Sequence, residues 1–426
     1  MSKAINTRRC RLVSPAMGIV AMLAAAYIVG FAERQAPATL AEPMAHHYDL
    51  NDSELGGLFG YGFGLFYALL AVPAGWLADR AKRLRLLALG LALSSLATMM
   101  IVRGTSLEAV VALRLIMGIG QSVLVPAAYS LLGDVVPRGH IGRAIALLAV
   151  APFLGAGLML IFGGSLASDE QWPTVFLVVG TIGLTIGCGC AFPREPTRSR
   201  PIDAGHQSSG VALYLKEHWK SVLATDLAIA FAAMAAHSLL AWGAVWLIRS
   251  HAMQAADAAS YLGYAVLAGG IGGAILAGVG GDALSRGRFR MSRLTLLSGA
   301  MVAAAAVALL MFSTSSAVLA LACLPILVGL IASSLTLGPA ALQDMTPPGL
   351  RGRQHGVTVL IVNWLGLGMG PLLVGIATDL SGDPAAIGGV MAVALPIMLG
   401  LSAAIAALAR TADGQAKAPA LPSSTV

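Results

Sequence analysis

Three charged side chains stand inside long apolar stretches of this sequence, where an isolated charge is unfavourable. Glu33 and Arg34 lie about 20 residues into the first stretch, and Arg114 lies in the fourth. A charged residue costs roughly 2.5–3.5 kcal/mol at the centre of a membrane helix, so it persists where it is paired, water-lined or functional. Glu33 can neutralise one arginine, and the other could bind a carboxylate or another anionic group. We therefore expect an anion-binding site. The alternative is that Glu33 lies at the membrane surface and Arg34 reaches water.

Four further side chains in other apolar stretches could line the same site. His237 could relay protons near neutral pH, although a single histidine is more often hydrogen-bonded structure. Asp226 precedes it by eleven residues, or about three helical turns, so the two share a face. Tyr61, Trp242 and Asn363 could line an amphipathic cavity, although aromatic residues near helix ends are more often anchors at the membrane surface.

A second group of charged residues lies in short polar segments between the apolar stretches. The segment Gly75-Trp-Leu-Ala-Asp79-Arg80-Ala-Lys-Arg83 places one acid among several cations. At a membrane boundary such an acid can accept hydrogen bonds from the N-terminus of a facing helix and pair with an arginine. We expect this segment to form a latch that breaks when the helices move. The alternative is that the segment only carries the excess of Lys and Arg that is usual in cytoplasmic loops.

The polar segments also repeat along the chain. Four residues recur 210 positions later, since Asp134, Pro137, Gly142 and Arg143 correspond to Asp344, Pro347, Gly352 and Arg353. A partial copy at an offset of 203 relates Gly75 and Asp79 to Gly278 and Asp282, and Arg286 follows. Duplicated units are typical of transporters in which two bundles rock about a central site. The expected latch residues are Gly75, Asp79, Arg80, Arg83, Asp134, Arg143, Asp282, Arg286, Asp344 and Arg353.

The elements that carry these residues are predicted to be membrane helices. Of the 426 residues 57% are hydrophobic and 11% are charged, whereas a soluble domain has roughly 25% charged residues. Because unpaired backbone groups are not tolerated in hydrocarbon, apolar runs of this length must cross as helices. We predict twelve helices, at 13–38, 54–77, 84–102, 107–133, 141–164, 173–192, 221–248, 258–281, 292–312, 316–343, 354–378 and 386–409.

The basic residues divide the loops into two sets. With the N-terminus inside, 23 of the 27 Lys and Arg residues lie in inner segments, whereas the outer loops hold only Arg103 and Arg249. This asymmetry predicts that both termini are cytoplasmic, and it explains the net charge of +7 without a nucleic-acid partner. We expect an N-terminal six-helix bundle over 1–192, a cytoplasmic linker over 193–220, and a C-terminal six-helix bundle with a short tail over 221–426.

The motifs resemble those of a known family. GWLADRAKR is similar to the loop motif of the major facilitator superfamily, and the repeated D..P....GR segments resemble its loops after helices 4 and 10. More narrowly, GIGQSVLVPAAYSLLGD and LRGRQHGVTVLIVNWLGLGMGPLLVGIATD resemble the spinster-like branch. The resemblance implies an all-α membrane protein with twelve transmembrane helices in two pseudo-symmetric six-helix bundles. It also implies transport of amphipathic lipids or organic solutes, commonly linked to protons.

Two positions depart from the pattern of that branch. The branch usually has Asp-Arg in helix 1, where this chain has Glu33 and Arg34, so an acid still stands beside a base. It also usually has a glutamate in helix 4, where this chain has Gln121. The second difference removes a candidate proton carrier, which leaves Glu33 as the main titratable acid of the first half. Gln121 is included in the expected site.

Signatures of other protein classes are missing from the sequence. It contains no P-loop, no HExxH and no convincing nucleophile elbow, and its four cysteines form no CxxC pair, so we expect neither an enzyme nor a metal or other cofactor. We predict a monomeric secondary active transporter of a bacterial-type inner membrane, with membrane lipid, a small-molecule substrate and protons as its partners. It would move a small organic anion or a lysolipid-like amphipath by alternating access. The alternatives are a multidrug-type exporter of apolar compounds and a transport-dead membrane receptor.

Overall fold

The computed structural model describes residues 15–137, 140–196, 208–286, 291–347 and 351–417. Within these ranges every long element is a helix, and no strand occurs. Eleven of the helices are long and apolar enough to cross a membrane, and a twelfth span consists of two helices that meet at a bend of 50°. The predicted all-α membrane fold is therefore confirmed.

We number the spans α1 to α12 in chain order. The first six are α1 (Pro15–Thr39), α2 (Asp52–Phe59, Tyr61–Leu69 and Ala71–Arg80), α3 (Arg83–Met100), α4 (Leu107–Ser122 and Leu124–Val135), α5 (Ile141–Leu158 and Met159–Gly163) and α6 (Trp172–Ala191). The second six are α7 (Ser208–His251), α8 (Ala255–Ala265, Val266–Gly270 and Ile271–Arg286), α9 (Arg293–Ser313), α10 (Ala317–Met345), α11 (Arg351–Ile361, Val362–Met369 and Gly370–Ser381) and α12 (Ile387–Lys417). A short helix, Ala41–Tyr48, joins α1 to α2.

The observed helices coincide with the twelve predicted runs. The largest difference is at α7, which begins at Ser208, so the second part of the segment predicted as a linker is helical. The residues concerned include Ala212, Leu213 and Lys216, which are good helix formers, and a helix can therefore extend beyond the apolar run. The rest of that segment includes residues 197–207, which lie outside the described ranges.

Five helices are irregular: α4 is broken at Val123, and the other four pack across the boundary between the two halves. Span α2 is broken at Gly60 and Leu70, and π-helical turns interrupt α5, α8 and α11. Such turns replace the usual hydrogen-bond pattern and leave a local change of direction in the helix. Helices α2 and α11 pack on each other, as do α5 and α8, whereas α3 packs on α6 and α9 packs on α12 within their own halves.

Glycines allow α2 and α11 to approach closely. A Cβ atom at Gly60 would lie 2.2 Å from the Gly368 carbonyl oxygen, and one at Gly375 would lie 2.1 Å from the Asp52 carbonyl oxygen. Real Cβ contacts are never this short, so only glycine fits at these positions. The two halves are thus in backbone contact along one part of their boundary.

The two ends of the helix bundle differ in charge. One end carries Glu42, Asp52 and Asp379, and we call it the acidic end. The other carries Arg83 and Arg293 together with most of the basic residues that the structure describes, and we call it the basic end. Large apolar side chains such as Leu276, Val279 and Phe162 are exposed between the ends. This distribution matches a protein whose middle faces lipid and whose ends face water.

Candidate functional site

A cavity of about 160 Å³ lies between the two halves of the molecule. Its walls are mostly apolar, with polar side chains from Arg34, Gln35, His237 and Ser334. Arg34 is the only Lys or Arg among the described residues that line this cavity, and no Asp or Glu lines it. The cavity is therefore an apolar space with one permanent positive charge.

Aromatic rings hold the Arg34 guanidinium in place. Its central carbon lies 4.5 Å from the ring centre of Phe31, 4.4 Å from that of Phe63 and 4.6 Å from that of Tyr67. Its Nη2 donates to Gln121 Oε1 over 3.4 Å. Ring faces attract a cation electrostatically, so the rings help to stabilise the charge without a neighbouring carboxylate.

The Glu33 carboxylate turns away from the cavity. It is fully buried and accepts hydrogen bonds from Ser94 Oγ at 2.5 Å, Ser95 Oγ at 2.6 Å and the Gln121 amide at 3.2 Å. The expected ion pair with Arg34 or Arg114 is not found among the described contacts. Adjacent residues of a helix point about 100° apart, so Glu33 faces α3 while Arg34 faces α2 and α4.

The side chain of Arg114 completes the broken helix α2. It is 1% exposed and donates to the carbonyl oxygens of Leu58 at 3.3 Å, Phe59 at 3.2 Å and Arg34 at 3.3 Å. The first segment of α2 ends at Phe59, and the last carbonyls of a helix have no partner within it. Arg114 therefore binds backbone oxygens and does not reach the cavity wall.

The remaining predicted site residues fall in different places. His237 lines the cavity, and its Nδ1 lies 2.8 Å from the Ala233 carbonyl oxygen of its own helix. Trp242 is buried, donates from Nε1 to the Pro371 carbonyl oxygen at 2.9 Å, and packs on Phe59 across the halves. Asn363 donates to Val359 of its own helix, and Tyr61 packs on Gly368. Neither of the last two lines the cavity.

A second buried acid lies in the second half. Asp226 is 1% exposed and accepts hydrogen bonds from Gln354 Nε2 at 2.9 Å and Thr358 Oγ1 at 2.7 Å. Its partners lie on α11, so this cluster joins α7 to α11. His237 faces the central cavity instead, and the two residues that share a helix face therefore have separate environments.

The basic end has two ion-pair clusters, and one pair of each is related by the offset of 210 residues, since Arg83 and Asp134 correspond to Arg293 and Asp344. Arg83 pairs with Asp134 and with Glu195, and Arg293 pairs with Asp282 and Asp344. The Arg83–Asp134 pair joins α3 to α4, and the Arg293–Asp344 pair joins α9 to α10. The predicted acids Asp134, Asp282 and Asp344 thus do form ion pairs, and a latch between the two halves at these acids stays a prediction.

The other predicted latch residues contribute less to these clusters. Asp79, Arg80 and Arg143 are exposed, and Arg80 lies over the Trp76 ring at 4.1 Å. Gly75 has open space beside it. The side chains of Arg286 and Arg353 lie outside the described part of the molecule. The arginine that the sequence reasoning missed is Arg293, which stands 210 positions after Arg83 and could have been found by extending the repeat.

Contacts between the halves do exist at the acidic end. Arg249 of α7 binds both carboxylate oxygens of Asp52, at 2.7 Å and 3.0 Å, and Glu42 Oε1 at 2.8 Å. Asp379 of α11 accepts from the backbone N–H groups of Asp52 at 3.1 Å and Ser53 at 2.7 Å, so it caps the start of α2. We call these four charged residues the acidic-end clasp.

Gln35 and the four residues of the acidic-end clasp are not among the predicted site residues. Gln35 lines the cavity and donates from Nε2 to the Leu240 carbonyl oxygen of α7 at 2.9 Å. For the clasp a signal was available, because Arg249 is one of only two cations predicted in loops rich in acids. A lone cation among acids predicts an ion pair. No comparable signal marked Gln35.

Comparison with known proteins identifies a matching family model and several relatives. The family model described as Major Facilitator Superfamily matches residues 22–371. An MFS-type efflux pump of Mycolicibacterium smegmatis is 25% identical over 373 residues, which is 85% of this chain and 85% of that protein. A probable small intestine urate exporter of Mus musculus is 30% identical over 155 residues, but the match spans only 36% of this chain and 30% of that protein.

Solved structures share the fold at low sequence identity. A bacterial homologue of the human lysosomal transporter Spinster, in an inward-facing and unoccupied conformation, has a TM-score of 0.79 at 20% identity and covers 96% of this chain and 100% of that one. A D-xylose-proton symporter has a TM-score of 0.69 at 16% identity, with coverage of 92% and 96%. The matched proteins are membrane transporters and not enzymes. Since the family model spans most of the chain and the helices adopt the same architecture, the chain belongs to the Major Facilitator Superfamily.

Proposed function

We propose that this protein is a secondary active transporter that moves an amphipathic organic anion across the inner membrane by alternating access. The observation that carries the proposal is the central cavity, where Arg34 supplies the only formal charge among the described lining residues. An anionic head group would pair with Arg34, and an apolar body would contact Phe31, Phe153 and Leu335.

The orientation follows from the charge at the two ends. The basic end faces the cytoplasm, in accordance with the positive-inside rule, and both termini lie on that side. The halves are 1–192 and 221–426, joined by a cytoplasmic segment at 193–220, and the protein works as a monomer. With the acidic-end clasp formed, the cavity is closed towards the outside.

Coupling to protons is assigned to Glu33. This carboxylate lies among hydroxyl and amide groups that can hydrogen-bond either its charged or its neutral form. Gln121 contacts both Glu33 and Arg34, so a change at the acid can reach the cation in the cavity. The relay takes the place of the acid that this chain lacks in α4.

Flux through proteoliposomes tests the proposal. We expect accumulation of a radiolabelled medium-chain carboxylate when a pH gradient is applied, and loss of this transport in Arg34→Gln. Arg103→Gln is the matched control, because Arg103 is exposed at the acidic end. Binding without flux in the wild-type protein would support a receptor, and unchanged flux in Arg34→Gln would remove the cation from the site.

A second candidate function is export of apolar or cationic drugs. Two observations favour it, namely the apolar walls of the cavity and the 25% identity to an MFS-type efflux pump. A permanent positive charge disfavours cationic substrates, so the two proposals differ in a measurable way. Efflux of lipophilic cations that persists in Arg34→Gln, together with no carboxylate flux in the wild type, would favour the drug exporter.

A further inference from the structure

A small recess adjoins the central cavity inside the first half, between α1, α2 and α4. It is lined by Tyr27, Phe31, Arg34, Tyr67 and Gln121 among others. Phe31 and Arg34 line both the recess and the cavity, so the two spaces are neighbours at these side chains. The recess has a volume of about 10 Å³, which is room for roughly one water-sized group.

Two polar atoms at the recess have no hydrogen-bond partner among the described residues. They are the Tyr27 hydroxyl and Arg34 Nε, both of which are buried. Tyr27 as a whole is 5% exposed. Buried polar groups in folded proteins are almost always paired. Two orphaned groups at one recess therefore indicate that a group from outside the chain completes the site.

The missing group must be a hydrogen-bond acceptor. Arg34 Nε can only donate, and the Tyr27 hydroxyl is free to donate. Of the two other polar side chains, Tyr67 has no buried unpaired atom, and Gln121 is already engaged, because its amide nitrogen contacts Gly30, Ser94 and Glu33 while its oxygen accepts from Arg34. The unmet need in the recess is thus for one oxygen that carries negative charge or a lone pair.

We propose that the recess receives one carboxylate oxygen of the transported anion, which accepts hydrogen bonds from the Tyr27 hydroxyl and Arg34. The inference rests on the proposed function and names its substrate class, an amphipathic carboxylate. A planar carboxylate can place one oxygen in the recess while the other stays at its mouth. A phosphate monoester or a sulfonate that placed one oxygen in the recess would leave two further charged oxygens against the Phe31 and Tyr67 rings, where burial of an unpaired charge is unfavourable, so we expect it to bind outside the recess at Arg34 alone. Tyr27 is therefore the residue that selects the head group.

Binding of matched ligands to the purified full-length protein in lipid nanodiscs tests this assignment. The ligands are decanoate, decyl phosphate and decanol, which share one chain and differ in the head group. We expect the wild type to prefer decanoate, and Tyr27→Phe to weaken decanoate about tenfold while leaving decyl phosphate and decanol unchanged. The matched control is Tyr264→Phe, which makes the same chemical change at an exposed residue of α8.

Thermal unfolding of the empty protein separates a binding role from a structural one. Because the Tyr27 hydroxyl has no partner among the described residues of the empty protein, Tyr27→Phe should melt no lower than the wild type. It should lose only the extra stabilisation that decanoate provides. A lower melting temperature without ligand would assign the hydroxyl to structure, through a bound water, and would overturn the inference.

The outcomes distinguish this inference from the proposed function. Equal decanoate affinity in the wild type and Tyr27→Phe, or a wild-type preference for decyl phosphate, would overturn the head-group assignment and leave anion transport standing. If neither anion binds the wild type more tightly than decanol does, the proposed function itself fails. If Arg34→Gln loses binding of both anions and Tyr27→Phe loses binding of decanoate alone, the results would support both the proposed function and the head-group assignment.

Discussion

Glu33 and Arg34 have different partners although they are neighbours in the chain. The carboxylate lies among Ser94, Ser95 and Gln121, and the guanidinium lies among aromatic rings at the cavity. Gln121 is the one side chain that contacts both. Gln121 stands where the resemblance to the spinster-like branch predicts an acid, and it connects the Glu33 carboxylate to the Arg34 guanidinium. The acid and the cation can therefore be tested separately.

Neutralising Glu33 should uncouple transport without removing the substrate site. Glu33→Gln keeps the shape of the protonated acid and abolishes the charge. We expect accumulation driven by a pH gradient to be lost, while exchange of substrate at equal pH continues, and both are measured in proteoliposomes. The parallel variant is Asp226→Asn, which neutralises the buried acid of the second half. Persistent pH-driven accumulation in Glu33→Gln together with its loss in Asp226→Asn would move the coupling acid to α7.

Replacing Arg114 should lower stability because its donors bind backbone oxygens. Arg114→Ala leaves the carbonyls of Leu58, Phe59 and Arg34 without this partner in a buried place. We expect the free energy of unfolding to fall by about 2–4 kcal/mol, measured by thermal or denaturant unfolding in detergent. Arg114→Lys should be intermediate, since one ammonium cannot reproduce a planar fork of donors. If Arg114→Ala unfolds like the wild type but no longer binds substrate, the result would instead indicate that Arg114 contacts the substrate directly.

At the scale of elements, four irregular helices, α2, α5, α8 and α11, pack across the boundary between the halves. Close approach of α2 and α11 depends on glycines, and the break at Gly60 frees the carbonyls that Arg114 binds. The packing within each half is carried by more regular helices such as α3, α6 and α9. The breaks therefore coincide with the surfaces that must separate and reseal during alternating access.

Adding a methyl group between α2 and α11 should favour opening of the acidic end. In Gly375→Ala the new Cβ would lie 2.1 Å from the Asp52 carbonyl oxygen, so the helices must move apart. We expect faster labelling of Ser334→Cys, a cavity position, by a membrane-impermeant thiol reagent added at the acidic end, in a background without native cysteines. Gly389→Ala is the control, because nothing lies within 4 Å of that Cβ. Equal labelling rates in the two variants would contradict this role of Gly375.

The helices could be predicted from the sequence far better than the side-chain contacts. Apolar length and the loop charges were sufficient for twelve spans, because lipid permits only hydrogen-bonded helices there. Apolar length does not determine how each helix is turned about its own axis. The sequence therefore predicts that Glu33 pairs with an arginine, which it does not touch. Likewise Trp242 and Asn363 were expected in the cavity, whereas one bonds to Pro371 and the other to its own helix. Helix breaks such as the one at Gly60 change the direction in which the following side chains point. The positions of these breaks depend on tertiary packing.

At the scale of the whole molecule, the ion pairs at the two ends differ in whether they join helices of one half or connect the two halves. The Arg83–Asp134 and Arg293–Asp344 pairs each join two helices of one half, whereas Arg249 crosses from α7 to Asp52 and Glu42. A rocking motion can therefore preserve the former and must break the latter. The clasp is only partly exposed, with side-chain exposures of 15% for Arg249 and 7% for Asp52.

Breaking the clasp should shift the population towards the state that is open at the acidic end. Removing one partner of a largely buried ion pair costs about 2–5 kcal/mol, which corresponds to a shift of roughly thirtyfold or more. We expect Arg249→Gln to lengthen distances between spin labels on the acidic ends of α2 and α8. The charge swap Arg249→Asp with Asp52→Arg should restore part of the closed population. Arg103→Gln, an exposed cation at the same end, is the control, and wild-type distances in Arg249→Gln would contradict the prediction.

The single positive charge in the cavity has an electrical consequence. On the proposed orientation, a membrane potential that is negative inside draws a cation towards the cytoplasm with about 2.3 kcal/mol per charge for each 100 mV of field crossed. An empty carrier therefore feels the voltage through Arg34, whereas a carrier loaded with an anion is nearly neutral at that site. The resting cell would hold the unloaded protein open to the cytoplasm, so voltage would govern the return step of the cycle more than the loaded one.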